Sequence, residues 1–330
     1  MKQRLLFCTM TFQLLLVFTG LKAQNFSVTG SLGLSNYRGD LATDYVPTFG
    51  GAFSLGATYD VAPKWRVRLN LSSLSVQGDD ALSKGKGISD RNLNFKTNIS
   101  ELALLGEYDL LDAEFNRLIP YVFGGAAVYH FNPQALHAIS GSINSNGYTA
   151  YTSGDVDLHN LGTEGQFITG IKGVKGNYTD KSYNLTQFNV QVGAGLRYDI
   201  SDDVSLGFEV NLRKLFTDYL DDASGPHYVT PSDWKAAEDY YSSLGAAGKS
   251  MLDKTLIAEA YAFRGIVGNK FSNTNATGWL RGNSNKDDAF YSFQLRMSFR
   301  INSIGGPDWT LFSSEHTNGR KQLRCAGNVY

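Results

Sequence analysis

The sequence predicts an all-β fold: an eight-stranded antiparallel transmembrane β-barrel with long extracellular loops, one of them partly helical. Three observations predict it. Apolar residues recur at every second position in eight separate segments, the charges of nearly every segment fall on the opposite face, and the connections alternate short and long. Period two is the strand repeat. An apolar face of about ten residues backed by charges describes a strand that crosses a bilayer at a tilt, apolar side to lipid.

Composition agrees. Lys+Arg 30 against Asp+Glu 31 leaves a net charge of -1 over 330 residues, which implies no general attraction to nucleic acid. Glycine (35 residues) and aromatics (13%) are plentiful, and the mean hydropathy is -0.23. Alternating strands need only half their residues apolar, so this balance suits a barrel. Beyond Ala23 no uninterrupted apolar run reaches the length of a membrane-spanning helix.

The first 23 residues differ in kind. Lys2 and Arg4 precede the apolar run Leu5 to Gly20, and Ala23 supplies a small residue before Gln24, the pattern of a signal peptide. Cys8 lies too early in that run to be a lipidation site. Cleavage at Ala23 leaves Cys325 as the one cysteine, which excludes an intramolecular disulfide. The expected organisation is a signal peptide over 1–23, a barrel over 24–301 and a polar periplasmic tail over 302–330.

The strands follow in order. The first, Phe26 to Ser35, sets Phe26, Val28, Leu32 and Leu34 against Ser27, Thr29 and Ser31. The second, Phe49 to Asp60, places Phe53, Leu55, Ala57 and Tyr59 outward and ends at the turn Val61-Ala62-Pro63-Lys64. The third starts at Trp65, continues through Val67, Leu69 and Leu71, and turns Arg66, Arg68, Asn70 and Ser72 inward. The fourth, Leu93 to Leu110, changes phase: Leu93, Phe95 and Ile99 are odd, whereas Leu102, Leu104 and Tyr108 are even. A bulge near Ile99 to Glu101 is expected to absorb the slip.

The fifth strand, Tyr121 to Phe131, is read with Tyr121, Phe123, Ala127, Tyr129 and Phe131 outward and Val122, Gly124, Ala126, Val128 and His130 inward. The sixth and seventh form the hairpin within Gln187 to Arg213, joined at Ser201-Asp202-Asp203. The eighth, Ala289 to Ile301, sets Tyr291, Phe293, Leu295, Met297 and Phe299 against Ser292, Gln294, Arg296, Ser298 and Arg300.

Connections after the second, fourth and sixth strands are short; those after the others are longer, the last two running Asn132 to Leu185 and Thr217 to Asp288. Short periplasmic turns and long extracellular loops give this asymmetry, which a soluble eight-stranded jelly roll has no reason to show. Tyr59, Trp65, Tyr108, Tyr121, Tyr198 and Tyr291 fall near strand ends, where aromatic girdles belong. In the last long loop, Thr230 before Pro231 with Asp233 three residues on marks a helix start, and Ser250-Met251-Leu252-Asp253 resembles a capping box. Leu252, Leu256, Ala260 and Phe263 then share a face, with Gly265 as the stop. This predicts a small helical cap over the barrel mouth.

Several phrases resemble one family. They are Ser35-Asn36-Tyr37-Arg38-Gly39-Asp40-Leu41, Glu101-Leu102 with Gly106-Glu107-Tyr108, Pro120-Tyr121-Val122-Phe123-Gly124-Gly125 leading to Phe131-Asn132-Pro133, the run Arg213 to Asp222, and Arg281-Gly282-Asn283. In these the chain resembles the PorG-like outer-membrane barrels of Bacteroidota. The resemblance implies residence in the cell outer membrane. It also implies a non-enzymatic role as a structural or accessory component of type IX secretion and gliding, anchoring periplasmic secretion-machinery proteins. A surface adhesin or ligand-binding barrel acting through its long loops is the alternative.

The candidate site is the barrel interior. An eight-stranded barrel is just wide enough for side chains to fill, so the inward Arg66, Arg68, Glu101, Glu107, Arg197, Glu209, Arg213, Arg296 and Arg300 are expected to pair as a buried ionic core, with no pore. Arg38-Gly39-Asp40 is an adhesion tripeptide in appearance, but a turn using Gly39 is the better reading. Asp218, Asp221 and Asp222 lack an EF-hand spacing and are expected to be solvated loop carboxylates. His130, His137, His159, His227 and His316 form no metal or protease motif. A rim enzyme built from carboxylates with His137 or His227 is selected by nothing in their spacing. Gly193-Ala194-Gly195 and Gly124-Gly125 lie inside strands and are expected to make room for bulky lumen neighbours, not to bind phosphate. No cofactor or metal site is expected; the expected partners are outer-membrane lipid and periplasmic proteins, not nucleic acid.

Overall fold

A computed structural model describes residues 26–41, 48–82, 93–135, 141–145, 148–152, 156–176, 178, 182–225, 228–262, 281–283 and 286–301. The expected signal peptide and tail, Cys8, Cys325, His137, His227, His316, Phe263 and Gly265 lie outside them. The strands are β1 (Phe26–Arg38), β2 (Gly50–Ala62), β3 (Trp65–Asp79), β4 (Asn94–Asp109), β5 (Leu118–Gln134), β6 (Gly141–Ser145), β7 (Tyr148–Thr152), β8 (Thr186–Asp199), β9 (Val204–Leu215) and β10 (Ala289–Ile301). Eight of them close an antiparallel barrel in the order β1-β10-β9-β8-β5-β4-β3-β2, while β6 and β7 pair as a separate hairpin. The short β2–β3, β4–β5 and β8–β9 connections share one end with Phe26 and Ile301, so every long connection emerges at the other.

The polarity of the wall is the feature that organises the molecule. On β3 the outward residues run Trp65, Val67, Leu69, Leu71, and then change to Ser73, Ser75 and Gln77. The inward ones run Arg66, Arg68, Asn70, Ser72, and then change to Leu74 and Val76. On β4 the outward face passes from Leu104 and Leu102 to Ser100, Asn98 and Lys96, as the inward face passes from Glu107 and Glu101 to Ile99 and Phe95. The two strands switch at one level, because Leu71 pairs with Leu102 and Ser73 with Ser100. The line continues around the wall: Leu102 pairs with Val128 and Ser100 with His130, then Val128 with Phe188 and His130 with Thr186.

Two expectations are thereby corrected. The apparent phase slip in β4 is no bulge: its register with both neighbours is continuous, and every odd residue from Phe95 to Asp109 points inward. What changes is the solvent on each side. The register irregularity of the second hairpin lies at Asp60/Ala62, beside the β2–β3 turn.

On β5 the faces are the reverse of the expectation. Tyr121, Phe123, Ala127, Tyr129 and Phe131 are buried in the lumen, whereas Val122 and Val128 are exposed on the outside with His130. The cause lies on the neighbouring strand. A Cβ on Gly193 would stand 2.2 Å from the Phe123 ring, and one on Gly195 2.5 Å from that of Tyr121, so β8 is hollowed to admit these rings. Tyr121 therefore leaves the aromatic girdle, in which Trp65 packs on Tyr108 (4.7 Å between centroids) and Phe26 on Tyr59 (5.2 Å).

Above the switch level the long connections fold into a cap. It contains a one-turn helix α1 (Leu158–Leu161), α2 (Pro231–Ser243) and α3 (Lys249–Ala262). Thr230 caps α2 as expected, its hydroxyl accepting from the Asp233 N–H at 3.2 Å. Helix α3 begins one residue before Ser250, which therefore sits in its first turn. Trp234, Ala237, Leu252, Leu256 and Tyr261 from the helices form one apolar core with Tyr37, Val76, Phe95, Ile99, Phe131, Leu215 and Phe290 from the upper strands. Cap and upper wall share a core.

Candidate functional site

The lower lumen is filled by a network that links strands across the barrel. Arg296 on β10 donates through Nη1 to Glu107 on β4 (2.8 Å) and to Glu209 on β9 (2.7 Å), and through Nη2 to Thr58 on β2 (3.1 Å). Arg68 on β3 holds the same two carboxylates, at 3.0 Å and 2.6 Å. The Tyr121 hydroxyl donates to Glu209 at 2.6 Å. Higher up, Arg213 pairs with Glu101 at 3.1 Å and donates to Ser292 at 3.0 Å, while Asn189 donates to Glu101 at 2.9 Å. Guanidiniums also lie over the aromatic rings: Arg68 over Phe123 and Arg213 over Phe290, each 5.0 Å from the centroid.

Nearer the periplasmic end, Arg66 (2.5 Å) and Arg197 (2.9 Å) converge on Asp109, with Arg66 also 3.3 Å from Glu107. The ninth expected residue is placed differently: Arg300 is 43% exposed at the barrel end, paired with Asp60 at 3.1 Å. Its site is too close to the open end for burial. Asp109, Tyr121, Asn189 and Thr58 also belong to the network. Asp109 follows the same odd-numbered alternation as Glu101 and Glu107 and was legible; Tyr121 was hidden by the inverted reading of β5.

A second polar cluster sits at the extracellular rim, and three of the phrases that carry the family resemblance meet in it. Tyr37 donates or accepts at 2.6 Å with both Asp221 and Asp288, and the Asn283 N–H donates to Asp40. The buried Arg281 donates to Glu164, to Thr163 (2.9 Å) and to the Asp222 carbonyl (2.7 Å). Asp222 also accepts from Thr163 (2.5 Å) and Tyr183 (2.8 Å), and Glu164 accepts from the Ser224 and Gly225 N–H groups. The adhesion-like tripeptide belongs to this packing: a Cβ on Gly39 would lie 1.9 Å from the Tyr37 hydroxyl and 2.0 Å from Asp288.

Asp218, Asp221 and Asp222 are therefore buried, not solvated. Burial pushes Asp218 up to about 8, aided by repulsion from Asp221 and Asp40, and pushes Asp222 up to about 6 against the pull of Arg281. Among the described residues no group of three or more His, Cys, Asp or Glu is arranged to hold a metal ion. His130 contacts Thr186 Oγ1 at 3.0 Å on the outer wall, and His159 contacts the Tyr183 carbonyl at 2.9 Å.

A closed sheet with an apolar belt outside and a polar filling inside defines a transmembrane β-barrel, the class that resides in the cell outer membrane. A family described as a domain of unknown function (DUF6089) matches residues 4–150, somewhat less than half of the chain. No curated protein matches. The chain is similar to Neisserial surface protein A (TM-score 0.37, 7% identity, covering 83% of this chain and 96% of that one). It is also similar to Ail, the attachment invasion locus protein of Yersinia pestis (0.34, 8%, 83% and 97%), and to the outer membrane protein OprG from Pseudomonas aeruginosa (0.34, 13%, 85% and 98%).

Proposed function

We propose that the protein is a non-conducting, non-enzymatic outer-membrane barrel that serves type IX secretion as a structural or accessory component, anchoring periplasmic secretion-machinery proteins. The filled lumen carries this reading. Charged side chains from β3, β4, β9 and β10 meet across the barrel axis, and the shared apolar core of cap and wall lies above them. Side chains that fill the lumen in this way leave the two ends as the working surfaces. The secretion role rests on the resemblance, whose phrases Tyr37–Asp40, Arg213–Asp222 and Arg281–Asn283 converge at the rim.

The test is quantitative proteomics of secreted, surface and periplasmic fractions from a deletion strain and its complemented control. Type IX cargo accumulates in the periplasm of the deletion strain and is released on complementation; unchanged cargo removes the secretion role. A second reading, a surface adhesin or ligand-binding barrel, is favoured by the packing of the cap, whose Trp234 and Arg281 are buried as in a folded domain. Trimming the cap while keeping strands and turns separates the two, since an anchor retains function and an adhesin loses it.

A further inference from the structure

At the top of β1 the Tyr37 hydroxyl stands between two carboxyl groups, 2.6 Å from Asp221 Oδ2 and 2.6 Å from Asp288 Oδ1. A phenol has one hydrogen, so it can donate to one of these oxygens and must receive a hydrogen from the other. The remaining oxygen of each carboxyl is engaged: Asp221 Oδ1 accepts from the Ala223 N–H and Asp288 Oδ2 from the Leu220 N–H, both at 2.9 Å. Two ionised carboxylates around a single hydroxyl leave one of the short contacts without a hydrogen.

Among the described residues, the groups that face the bridge do not supply the missing positive charge. Asp40 faces the pair from the β1–β2 connection, Asp218 from the β9–β10 connection and Tyr129 from β5. Arg281 acts on Asp221, but its guanidinium is held by Glu164 and Asp222. Phe95 packs edge-on against the Tyr37 ring at 4.8 Å and shuts out water on that side. Beside Asp221, a cavity of about 20 Å³ lined also by Thr163, Asp222 and Arg281 has room for one water, a route for proton exchange.

We propose that the Asp221–Tyr37–Asp288 bridge holds one proton at neutral pH, one carboxylic acid donating to the tyrosine oxygen and the tyrosine donating to the other carboxylate, and that this proton latches the β9–β10 connection and its cap to the barrel rim. Burial raises both carboxyl groups well above the ordinary range; for Asp221 the charge of Asp288 adds to it, and for Asp288 the charge of Asp218. A carboxyl raised in the folded state binds its proton more strongly there than in the unfolded chain. The latch is therefore complete in acid, and it loosens as pH rises through the folded-state value.

The test uses the full-length protein folded in detergent micelles with EDTA present. Infrared difference spectra should show the carbonyl band of a buried carboxylic acid at neutral pH. Hydrogen-exchange protection of the Leu220 and Ala223 amides, corrected for intrinsic rates, should fall at least about tenfold as the pH is raised from neutral to the point where that band is lost. Asp288→Asn supplies a permanent amide donor in place of the proton, so it should remove the bridge's share of the band, leaving that of the neighbouring Asp218, and should flatten the pH dependence of protection; Asp221→Asn should do the same. Absence of the band in the wild type overturns the proposal. So does protection that needs added calcium and ignores pH, which would assign a cation to the bridge. If neither variant folds, the wild-type spectra and exchange data decide.

Discussion

The barrel has two storeys built by one strand repeat for two solvents. Below the level of Leu71, Leu102 and Val128, an apolar skin encloses Arg68, Glu107, Glu209 and Arg296; above it, Ser73, Ser100 and His130 face water and Ile99, Phe95 and Phe131 face a dry core. The same β3 and β4 backbones run through both without a break in register. Period two therefore reports a strand and says nothing about its medium; the identity of each face does. The transition, not the strand end, marks where the membrane stops.

The comparison can be broken first in the lower storey. Arg296→Ala should destabilise the barrel by about 3 kcal/mol, because it takes from the buried carboxylates of Glu107 and Glu209 one of the two cations that they share. Urea titration of gel mobility, folded against unfolded, reads this, and an unchanged midpoint would mean that the network is dispensable. In the upper storey, Trp234→Ala removes a fully buried ring at about 3–5 kcal/mol. That loss should appear as faster hydrogen exchange in α2 and α3, while the lower strands keep their protection.

The boundary itself is sharpened by paired substitutions on one outer face of β3. Leu69→Arg places a charge in the lipid belt and should cost about 2–4 kcal/mol, whereas Ser73→Arg, two pleats higher, should leave folding into liposomes unaltered. Equal costs would erase the proposed level. The smallest effect belongs to the α2 cap: Thr230→Ala loses the side-chain acceptor of the Asp233 N–H, keeps the backbone one, and should weaken the helix by about 1 kcal/mol, visible as local exchange near Asp233.

The faces of β1, β2, β3 and β8 to β10 were legible because below the switch level only one side of each is apolar. On β5 both sides are, since Val122, Ala126 and Val128 alternate with Tyr121, Phe123 and Tyr129, and period alone cannot choose between them. The deciding information sits about seventy residues away, in the missing side chains of Gly193 and Gly195. Charges on the lumen face announced the ionic network but not its partners, which are fixed by closure of the sheet. The rim cluster was hidden for a related reason: Arg281 and Glu164 are separated by 117 positions within connections that have no periodicity.

The geometry of Arg296 bears on assembly. The last strand of the barrel, β10, delivers the cation shared by carboxylates on β4 and β9. A sheet that has entered the bilayer without β10 carries Glu107 and Glu209 with only part of their counter-charge, in a medium where unbalanced charge is severely penalised. Arrival of the final strand thus gives Glu107 and Glu209 their second shared cation and closes the seam with β1 in the same event.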